Sequence, residues 1–255
     1  MLSVQHLDKR FGGVHATRDV SIDFPDGSLT AIIGPNGAGK TTFFNLISGA
    51  LRPSSGKVVF NGQDIVGKSS LQVVRLGMAR AFQVAALFPS LTVREALLAA
   101  VTSHQRRSWN LVRRFPLPSA QRRADEIVEL LGLQPKAATL SRFLSHGDQK
   151  LLDIGLALAA EPKVLLLDEP TAGMGPDERW QMIGKVQELW RARGMTVLFI
   201  EHDMDIVFQI AQRIHVLKYG AVLAQGTADE IRRNQDVIDA YLGTDHHLAQ
   251  AAGEE

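Results

Sequence analysis

Short apolar runs rich in β-branched residues alternate along the chain with longer stretches of helical period. The runs "LTAIIG" (29–34), "KVLLLD" (163–168) and "MTVLFI" (195–200) are typical of strands in the centre of a parallel sheet, where both faces are buried. The stretch "RIHVLKYGAVLAQG" (213–226) predicts a hairpin that turns at Tyr219-Gly220. This alternation predicts an α/β fold with a largely parallel sheet covered by helices.

The apolar spacing between the strands predicts helices. Lys40 to Ser48 forms a helical pattern that ends at Gly49 and Pro53, and "KVVFNG" (57–62) predicts a further strand. From about 84 to 159 the pattern is mainly helical, with predicted helices at 92–104, 119–132 and 147–160. A helical insertion within an α/β core is the simplest organisation that fits.

Composition excludes several classes of protein. With 255 residues, 45% of them hydrophobic, the chain can bury the core of one large domain, and a net charge of +1 gives no overall attraction to nucleic acid or membrane. It has no cysteine, which excludes disulfides and thiolate metal sites. Apolar runs reach about seven residues, against roughly twenty for a membrane span. The start "MLSVQHLDKRF" lacks the layout of a signal peptide, so we expect a soluble intracellular protein.

The segment "GPNGAGKT" (34–41) fits the P-loop pattern G-x-x-x-x-G-K-[ST] and lies between a predicted strand and a predicted helix. Its glycines let the backbone fold around phosphates, and the positive end of the following helix favours an anion. Lys40 is expected to reach the β- and γ-phosphates, and the Thr41 hydroxyl to bind Mg²⁺. The predicted nucleotide-binding residues of this loop are Asn36, Gly37, Ala38, Gly39, Lys40, Thr41 and Thr42.

Two adjacent acidic residues end the strand in "VLLLDEP" (164–170). Asp168 is expected to hold Mg²⁺, directly or through water, and Glu169 to orient and deprotonate the attacking water. Neighbouring side chains at a strand end point in opposite directions and can serve different roles. The alternative, that these acids only end the strand, is less compatible with a P-loop in the same chain.

Together these residues resemble the ATP-binding subunits of ABC transporters, from about residue 2 to residue 243. The resemblance implies ATP and Mg²⁺ as cofactors and a P-loop NTPase fold. That fold has a RecA-like, mostly parallel core, an antiparallel β subdomain and a helical subdomain. The corresponding divisions are 1–83 and 160–243 for the nucleotide-binding core, 84–159 for the helical signature subdomain, and 244–255 for a flexible tail.

The resemblance assigns three further side chains. His202 in "IEHD" matches the switch histidine that contacts the γ-phosphate, and Gln83 in "AFQ" matches the Q-loop residue that touches Mg²⁺ and the attacking water. Phe11 in "KRFGGVHA" matches the aromatic residue that stacks on adenine. A phenylalanine buried in the core at a strand end remains the alternative for Phe11.

The segment "LSHGDQK" (144–150) resembles the family signature LSGGQ with two departures. Ser145 and Gly147 match the residues that face the γ-phosphate bound by the other subunit, whereas His146 and Asp148 differ. Ser145 and Asp148 have the spacing of a capping box, and a phosphate would repel the Asp148 carboxylate. We therefore expect Asp148 to bend back to its own helix end. His146 either donates to phosphate or lies at the subunit seam, and a purely capping role for the segment stays open.

One loop after the acidic pair also departs from the family pattern. In "TAGMGPDE" (171–178), which occupies the position of the D-loop, Gly175 stands where Asp or Asn is usual. This puts in doubt the hydrogen bond across the subunit interface that the loop normally makes.

The "FGGVHA" opening, the 104–123 insertion and the stretch from Glu201 to Gly243 resemble ATPases of branched-chain amino acid importers. The implied partners are a second ATPase subunit, identical or paralogous, two transmembrane permeases and a periplasmic binding protein, without nucleic acid. The implied location is the cytoplasmic face of the inner membrane. The insertion holds six arginines and no acid, which indicates a solvated basic face or an amphipathic turn against lipid or the permease.

Alternative functions remain open at this point. Relatives of this group serve urea, short amides or aromatic acids, and lipopolysaccharide-type export is a further option. An ABC ATPase of DNA repair or translation would usually carry a coiled-coil insertion, a zinc module or a second cassette, and the sequence contains none of these. A GTPase would carry the guanine-reading sequence N-K-x-D, which is also absent.

Overall fold

The computed structural model describes residues 2–81, 88–104 and 117–241. These residues form two compact units. The first unit comprises the described residues 2–70 and 196–241, and the second comprises 71–81, 88–104 and 117–195. Gln83, the central part of the basic insertion and the predicted tail 244–255 lie outside the described residues.

An antiparallel sheet forms one part of the first unit. Its strands, in the order β2-β1-β4-β5, are β1 (Leu2–Phe11), β2 (Val14–Phe24), β4 (Ser55–Phe60) and β5 (Gln63–Asp64). On β1, Leu2, Val4 and Leu7 are buried, while the residues near Phe11 extend to the surface. The antiparallel sheet implied by the family resemblance is therefore present.

A second set of strands in the first unit lies in the order β10-β9-β3-β8. These strands are β3 (Leu29–Ile33), β8 (Thr196–Ile200), β9 (Arg213–Lys218) and β10 (Ala221–Gly226). β3 runs parallel to both β8 and β9, and every residue of β3 and β8 is buried. The helices of this unit are α1 (Lys40–Ile47), α7 (Met204–Ile210), α8 (Ala228–Arg232) and a final helical stretch over 235–241.

The second unit combines two parallel strands with helices. The strands β6 (Met78–Ala81) and β7 (Val164–Asp168) pair in parallel. The helices are α2 (Ser70–Leu76, which begins at the end of the first unit), α3 (Val93–His104), α4 (Pro118–Leu131), α5 (His146–Leu158) and α6 (Pro176–Arg193). α3, α4 and α5 pack together through apolar faces that include Leu97, Ile127 and Ile154.

The predicted strands and helices named above are confirmed, with ends that differ by one or two residues. The described part of the helical segment predicted over 84–159, namely 88–104 and 117–159, lies inside the second unit, which extends beyond it at both ends. Over the residues that the structure describes, no helix has both the length and the apolar character needed to cross a bilayer.

His215 on β9 is a buried ionisable side chain at the centre of the first unit. It is 2% exposed and packs its ring edge-to-face against Phe24, with ring centroids 5.5 Å apart. Burial, with the nearby charge of Arg213, lowers the pKa of His215 from 6.5 to about 4. The imidazole therefore stays neutral in the folded protein at pH values where the unfolded chain is protonated.

The folded protein should consequently lose stability as the pH falls from about 6.5 to about 4, because the unfolded chain takes up the proton first. The loss reaches roughly 3 kcal/mol once the pH is below both pKa values. Urea unfolding of a His215→Phe variant, followed from pH 7 to pH 4, should show a correspondingly smaller decrease. His104→Gln, at the exposed end of α3, is the control. An equal pH dependence in the parent and in H215F would contradict this assignment.

Candidate functional site

Three parallel strands of the first unit end at one edge of the sheet. β3 leads into the P-loop, β8 leads to His202, and β9 leads into the Tyr219-Gly220 turn. The register pairs Ile32 with Ile200 and Ile33 with Val216, so these three segments start at the same level. Ligand sites of α/β folds lie at such carboxyl edges, and the predicted phosphate-binding residues lie at this one.

Main-chain contacts around the P-loop are so close that two of its positions admit only glycine. A Cβ atom on Gly34 would lie 2.1 Å from the carbonyl oxygen of Leu217, and one on Gly39 would lie 2.3 Å from that of Ala16. Both glycines also have positive φ, 148° at Gly34 and 97° at Gly39. The main-chain amide of Gly220 adds a hydrogen bond to the Ala38 carbonyl at 3.1 Å. The loop is thus held in shape by its neighbours.

Lys40 begins α1 and points its ammonium group back into the P-loop. Its Nζ donates to the carbonyl oxygens of Gly34, at 2.7 Å, and Pro35, at 3.1 Å, and the residue is 6% exposed. Gly39 caps the helix without a side-chain hydrogen bond. Asn36, Gly37 and Thr41 are exposed, while Ala38 is buried and Thr42 half-buried. A buried cation and a helix N-terminus that both face an open loop favour the binding of a polyphosphate anion there.

Phe11 lies at the surface of the first unit, at the end of β1. Its side chain is 48% exposed, and the Lys9 ammonium lies 4.9 Å from the ring centroid. The alternative of a buried core phenylalanine is therefore wrong. An exposed aromatic ring is available for stacking on a base.

His202 follows β8 and is exposed, and its main-chain amide donates to the Glu201 carboxylate at 3.2 Å. Asp203 then caps α7 by accepting from the amides of Asp205 and Ile206. Tyr241, in the final helical stretch, hydrogen-bonds to the backbone of Gly34, while burial raises the pKa of its hydroxyl to about 12. The C-terminal helical stretch is thereby tied to the P-loop, a link that the sequence did not predict.

In the second unit, Asp168 at the end of β7 forms an ion pair with Arg80 from the neighbouring strand β6. The distance between Arg80 Nη2 and Asp168 Oδ2 is 2.5 Å, and the side chains are 12% and 1% exposed. The parallel register, which pairs Arg80 with Leu166, brings the two together. A buried carboxylate is therefore charge-compensated in the structure.

The second oxygen of this carboxylate, Asp168 Oδ1, is buried and has no hydrogen-bond partner among the described residues. An oxygen ligand of this kind fits Mg²⁺, which proteins commonly hold through one or two carboxylates together with substrate phosphates. Within the described ranges there is no cluster of three or more His, Cys, Asp or Glu residues that would bind a metal ion by itself. The donor set therefore suits a metal ion that arrives with a nucleotide.

Glu169 has a left-handed backbone conformation, with φ of 49°, which is uncommon for a residue other than glycine. Its carbonyl oxygen accepts a hydrogen bond from Lys150 Nζ at 2.6 Å and another from the amide of Ala172 at 3.2 Å. Strained backbone of this kind costs of order 1–3 kcal/mol and persists only where the surroundings fix it. The main chain at the predicted catalytic base is thus held by specific contacts.

The signature segment forms the first turn of α5, and Ser145 is its N-cap. The Ser145 hydroxyl accepts from the Asp148 amide at 3.2 Å and donates to Asp148 Oδ2 at 2.6 Å. The prediction that Asp148 bends back to its own helix end is therefore confirmed. Lys136 adds an ion pair to the same carboxylate. Burial alone would raise the pKa of Asp148, but the hydrogen bonds from Lys136 and Ser145 lower it below its ordinary value.

His146 contacts the loop that follows Glu169 in the same chain. Its Nε2 lies 3.1 Å from the carbonyl oxygen of Ala172, and a Cβ atom on Gly173 would lie 3.2 Å from that nitrogen. The side chain of Met174 lies beside Gly147. The signature and the D-loop segment are therefore connected within one chain. The sequence predicted only that His146 donates to phosphate or lies at the subunit seam.

Gly175 is the N-cap of α6, and its amide donates to the Glu178 carboxylate at 3.3 Å. Its φ of −68° is accessible to any residue, and an added Cβ would have no heavy atom within 4 Å. Neither space nor backbone conformation requires glycine here.

Sequence reasoning missed four residues of these sites, namely Arg80, Lys136, Lys150 and Tyr241. Lys150 and Arg80 had a usable signal, because each is a cation within an otherwise apolar strand or helix face. Tyr241 had none, because its contact is with a segment distant in sequence. Lys136 had none either, because nothing in its local sequence marks Asp148, twelve positions later, as its partner.

Comparison with known proteins agrees with this geometry. A family model described as ABC transporter matches residues 17–172, and one described as branched-chain amino acid ATP-binding cassette transporter matches residues 221–247. The high-affinity branched-chain amino acid transport ATP-binding protein LivG of Salmonella typhimurium is 39% identical, with 95% of this chain and 98% of that protein covered. The corresponding BraF protein of Pseudomonas aeruginosa is 37% identical over 95% and 98% of the two chains.

Solved structures of the same kind resemble the described fold. A nucleotide-free ATP-binding cassette from an ABC transporter superimposes with a TM-score of 0.83 at 32% identity, over 94% of this chain and 98% of that chain. The ADP conformation of an ATP-binding cassette of an ABC transporter gives a TM-score of 0.85 at 32% identity, over 95% and 98%. The predicted P-loop NTPase fold is confirmed.

The buried Arg80–Asp168 pair makes a prediction about stability. Arg80→Met should reduce the free energy of unfolding by about 3 kcal/mol, because the Asp168 carboxylate then stays buried without its cation. The additional substitution Asp168→Asn should recover most of that loss. Urea unfolding in the absence of nucleotide measures both effects.

The control is Arg94→Met, which removes an ion pair of similar length, 2.6 Å to Asp125, whose side chains are about half exposed. This surface variant should lose less than about 1 kcal/mol. Equal losses of unfolding free energy in R80M and R94M would show that burial does not increase the contribution of the Asp168 ion pair to stability.

Proposed function

The chain belongs to the ABC transporter family as an ATP-binding, ATP-hydrolysing subunit, and on that premise we propose that it powers the uptake of branched-chain or other hydrophobic amino acids. The observation that carries the choice of solute is the C-terminal match at residues 221–247, together with relatives named for branched-chain amino acid transport. The ATPase subunit itself is not expected to touch the solute.

Nucleotide binding is proposed to use the P-loop and Phe11. The exposed Phe11 ring stacks on adenine, and the amides of Gly37 to Thr42 surround the phosphates. Lys40, which already points into the loop, exchanges its contacts with the Gly34 and Pro35 carbonyls for phosphate oxygens. This exchange places a full positive charge where negative charge accumulates in the transition state.

Hydrolysis is proposed to depend on five further side chains. Glu169 orients and deprotonates the attacking water, and the exposed His202 donates to the γ-phosphate. Thr41 and Asp168, through its unpartnered Oδ1, would hold Mg²⁺, with Gln83 as a third ligand that lies outside the described residues. When bound, the ion would neutralise charge on the β- and γ-phosphates.

Two ATPase subunits are proposed to close head-to-tail, so that Ser145 and Gly147 of each meet the ATP held by the other. Because the Asp148 carboxylate is occupied by Ser145 and Lys136, it does not oppose an approaching phosphate. His146 is proposed to lie at the seam, with its ring bonded to the Ala172 carbonyl of its own chain. The second subunit is a copy or a paralogue.

The remaining partners are proposed to be two transmembrane permeases and a periplasmic binding protein, with the chain attached at the cytoplasmic face of the inner membrane. The names of the relatives support transport partners. The basic 104–123 insertion is a proposed contact with lipid headgroups or the permease.

A Glu169→Gln variant tests the proposed catalytic base. It should bind ATP as the parent does and accumulate as a closed dimer. Its rate of ATP hydrolysis should fall by at least about 100-fold, because the attacking water loses its base. Lys40→Ala should instead lose nucleotide affinity, by about tenfold or more. Single-turnover hydrolysis, equilibrium binding of a fluorescent ATP analogue and size-exclusion chromatography measure these effects. Near-parental turnover in E169Q would remove Glu169 from its role.

Uptake of radiolabelled leucine tests the proposed solute. Cells that lack the gene for this chain should lose high-affinity leucine uptake, and the parent chain should restore it. E169Q, expressed at the same level, should not restore it, which separates ATP hydrolysis from assembly. Restored uptake of urea without any effect on leucine would assign the chain to a different importer.

A further inference from the structure

Lys150 brings a cation into the interior of the second unit. It lies on α5, in the turn that follows the signature, and is 7% exposed. A buried ammonium group is unfavourable unless specific acceptors compensate it. Its Nζ donates to the main-chain carbonyl oxygen of Glu169 at 2.6 Å, a short, charge-assisted hydrogen bond.

A second ionisable group, Asp153, lies near Lys150. It is 6% exposed on the next turn of α5, and burial raises its pKa to about 7, with the Lys150 charge opposing the rise. Both side chains line a small cavity together with Asp168 and Pro170. The Lys150 head group therefore faces the acidic end of β7.

The acceptor at Glu169 is in an uncommon backbone conformation. Its φ of 49° lies in the left-handed region, and its carbonyl oxygen also accepts from the amide of Ala172 at 3.2 Å. The orientation of that carbonyl and the direction of the Cα–Cβ bond of Glu169 are geometrically linked through one Cα atom. A group that holds the carbonyl therefore also restricts the direction in which the Glu169 side chain leaves the backbone.

We propose that Lys150 is a positioning residue that fixes the reacting orientation of Glu169 from within the same chain. This inference rests on the proposed role of Glu169 as the base. Lys150 follows the N-cap Ser145 by five positions on the same helix, so the signature and the group that holds the Glu169 carbonyl belong to one rigid element.

Steady-state ATP hydrolysis of the full-length Lys150→Met variant tests this assignment. Methionine keeps the unbranched shape and removes the donor. We expect kcat to fall by at least about tenfold while KM for ATP stays within about twofold, because the base is misdirected and the P-loop is unchanged. Lys150→Arg, which keeps a charged donor, should retain kcat within about threefold. Lys163→Met, at an exposed lysine just before β7, is the matched control and should behave as the parent.

The double variant K150M/E169Q distinguishes positioning from a general structural effect. If Lys150 acts through Glu169, the double variant should hydrolyse ATP no more slowly than E169Q alone. Thermal unfolding followed by circular dichroism confirms that K150M is folded, and Lys150→Gln, which removes the charge but keeps a polar side chain, replaces it as the test if it is not.

Each adverse result has a separate meaning. A slow E169Q with a parental K150M would overturn the inference and leave the proposed base intact. The inference would also be overturned if the double variant hydrolysed ATP more slowly than E169Q by the same factor by which K150M is slower than the parent. A K150R variant as slow as K150M would overturn it as well. Near-parental turnover in E169Q would instead refute the proposed base on which the inference rests.

Discussion

Main chain packed directly against main chain is the constraint on which the nucleotide site depends. At Gly34 and Gly39 the carbonyl oxygens of Leu217 and Ala16 occupy the space that any Cβ atom would need. Because neighbouring segments define the loop from outside, its amides and the Lys40 ammonium are oriented before a ligand arrives. Pre-organised donors of this kind bind phosphate without a large cost in ordering.

The second unit follows a different principle, in which buried charges are compensated individually. Asp168 is paired with Arg80, and Lys150 is satisfied by the Glu169 carbonyl and lies close to Asp153. Each contact joins an acidic or main-chain group at the end of β7 to a neighbouring strand or helix. The residues that flank this strand end are thereby fixed in position by electrostatic contacts in addition to the apolar packing around them.

The sequence predicted the strands and the P-loop well, because both are local. Continuous apolar runs indicate buried strands such as β3 and β8. The P-loop motif between a strand and a helix predicts the conformation of that loop from the motif alone. It predicted the cap at Ser145 and Asp148 for the same reason. It did not predict the Arg80–Asp168 pair, the tie from Tyr241 to Gly34 or the left-handed Glu169, because these depend on register and on contacts between distant segments. For Phe11 the sequence left two environments open, and only the packing of β1 decided between them.

The contact between His146 and the Ala172–Gly173 peptide links two motifs that lie 26 residues apart in the chain. The imidazole occupies the space beside Gly173, whose φ of 80° already disfavours other residues. A larger side chain at residue 173 would have to displace the ring, whereas a chain without an imidazole at 146 would leave the Ala172 carbonyl to find another donor. The two positions should therefore change together across the family, so that natural variation in the signature is read most usefully alongside variation in the D-loop of the same chain.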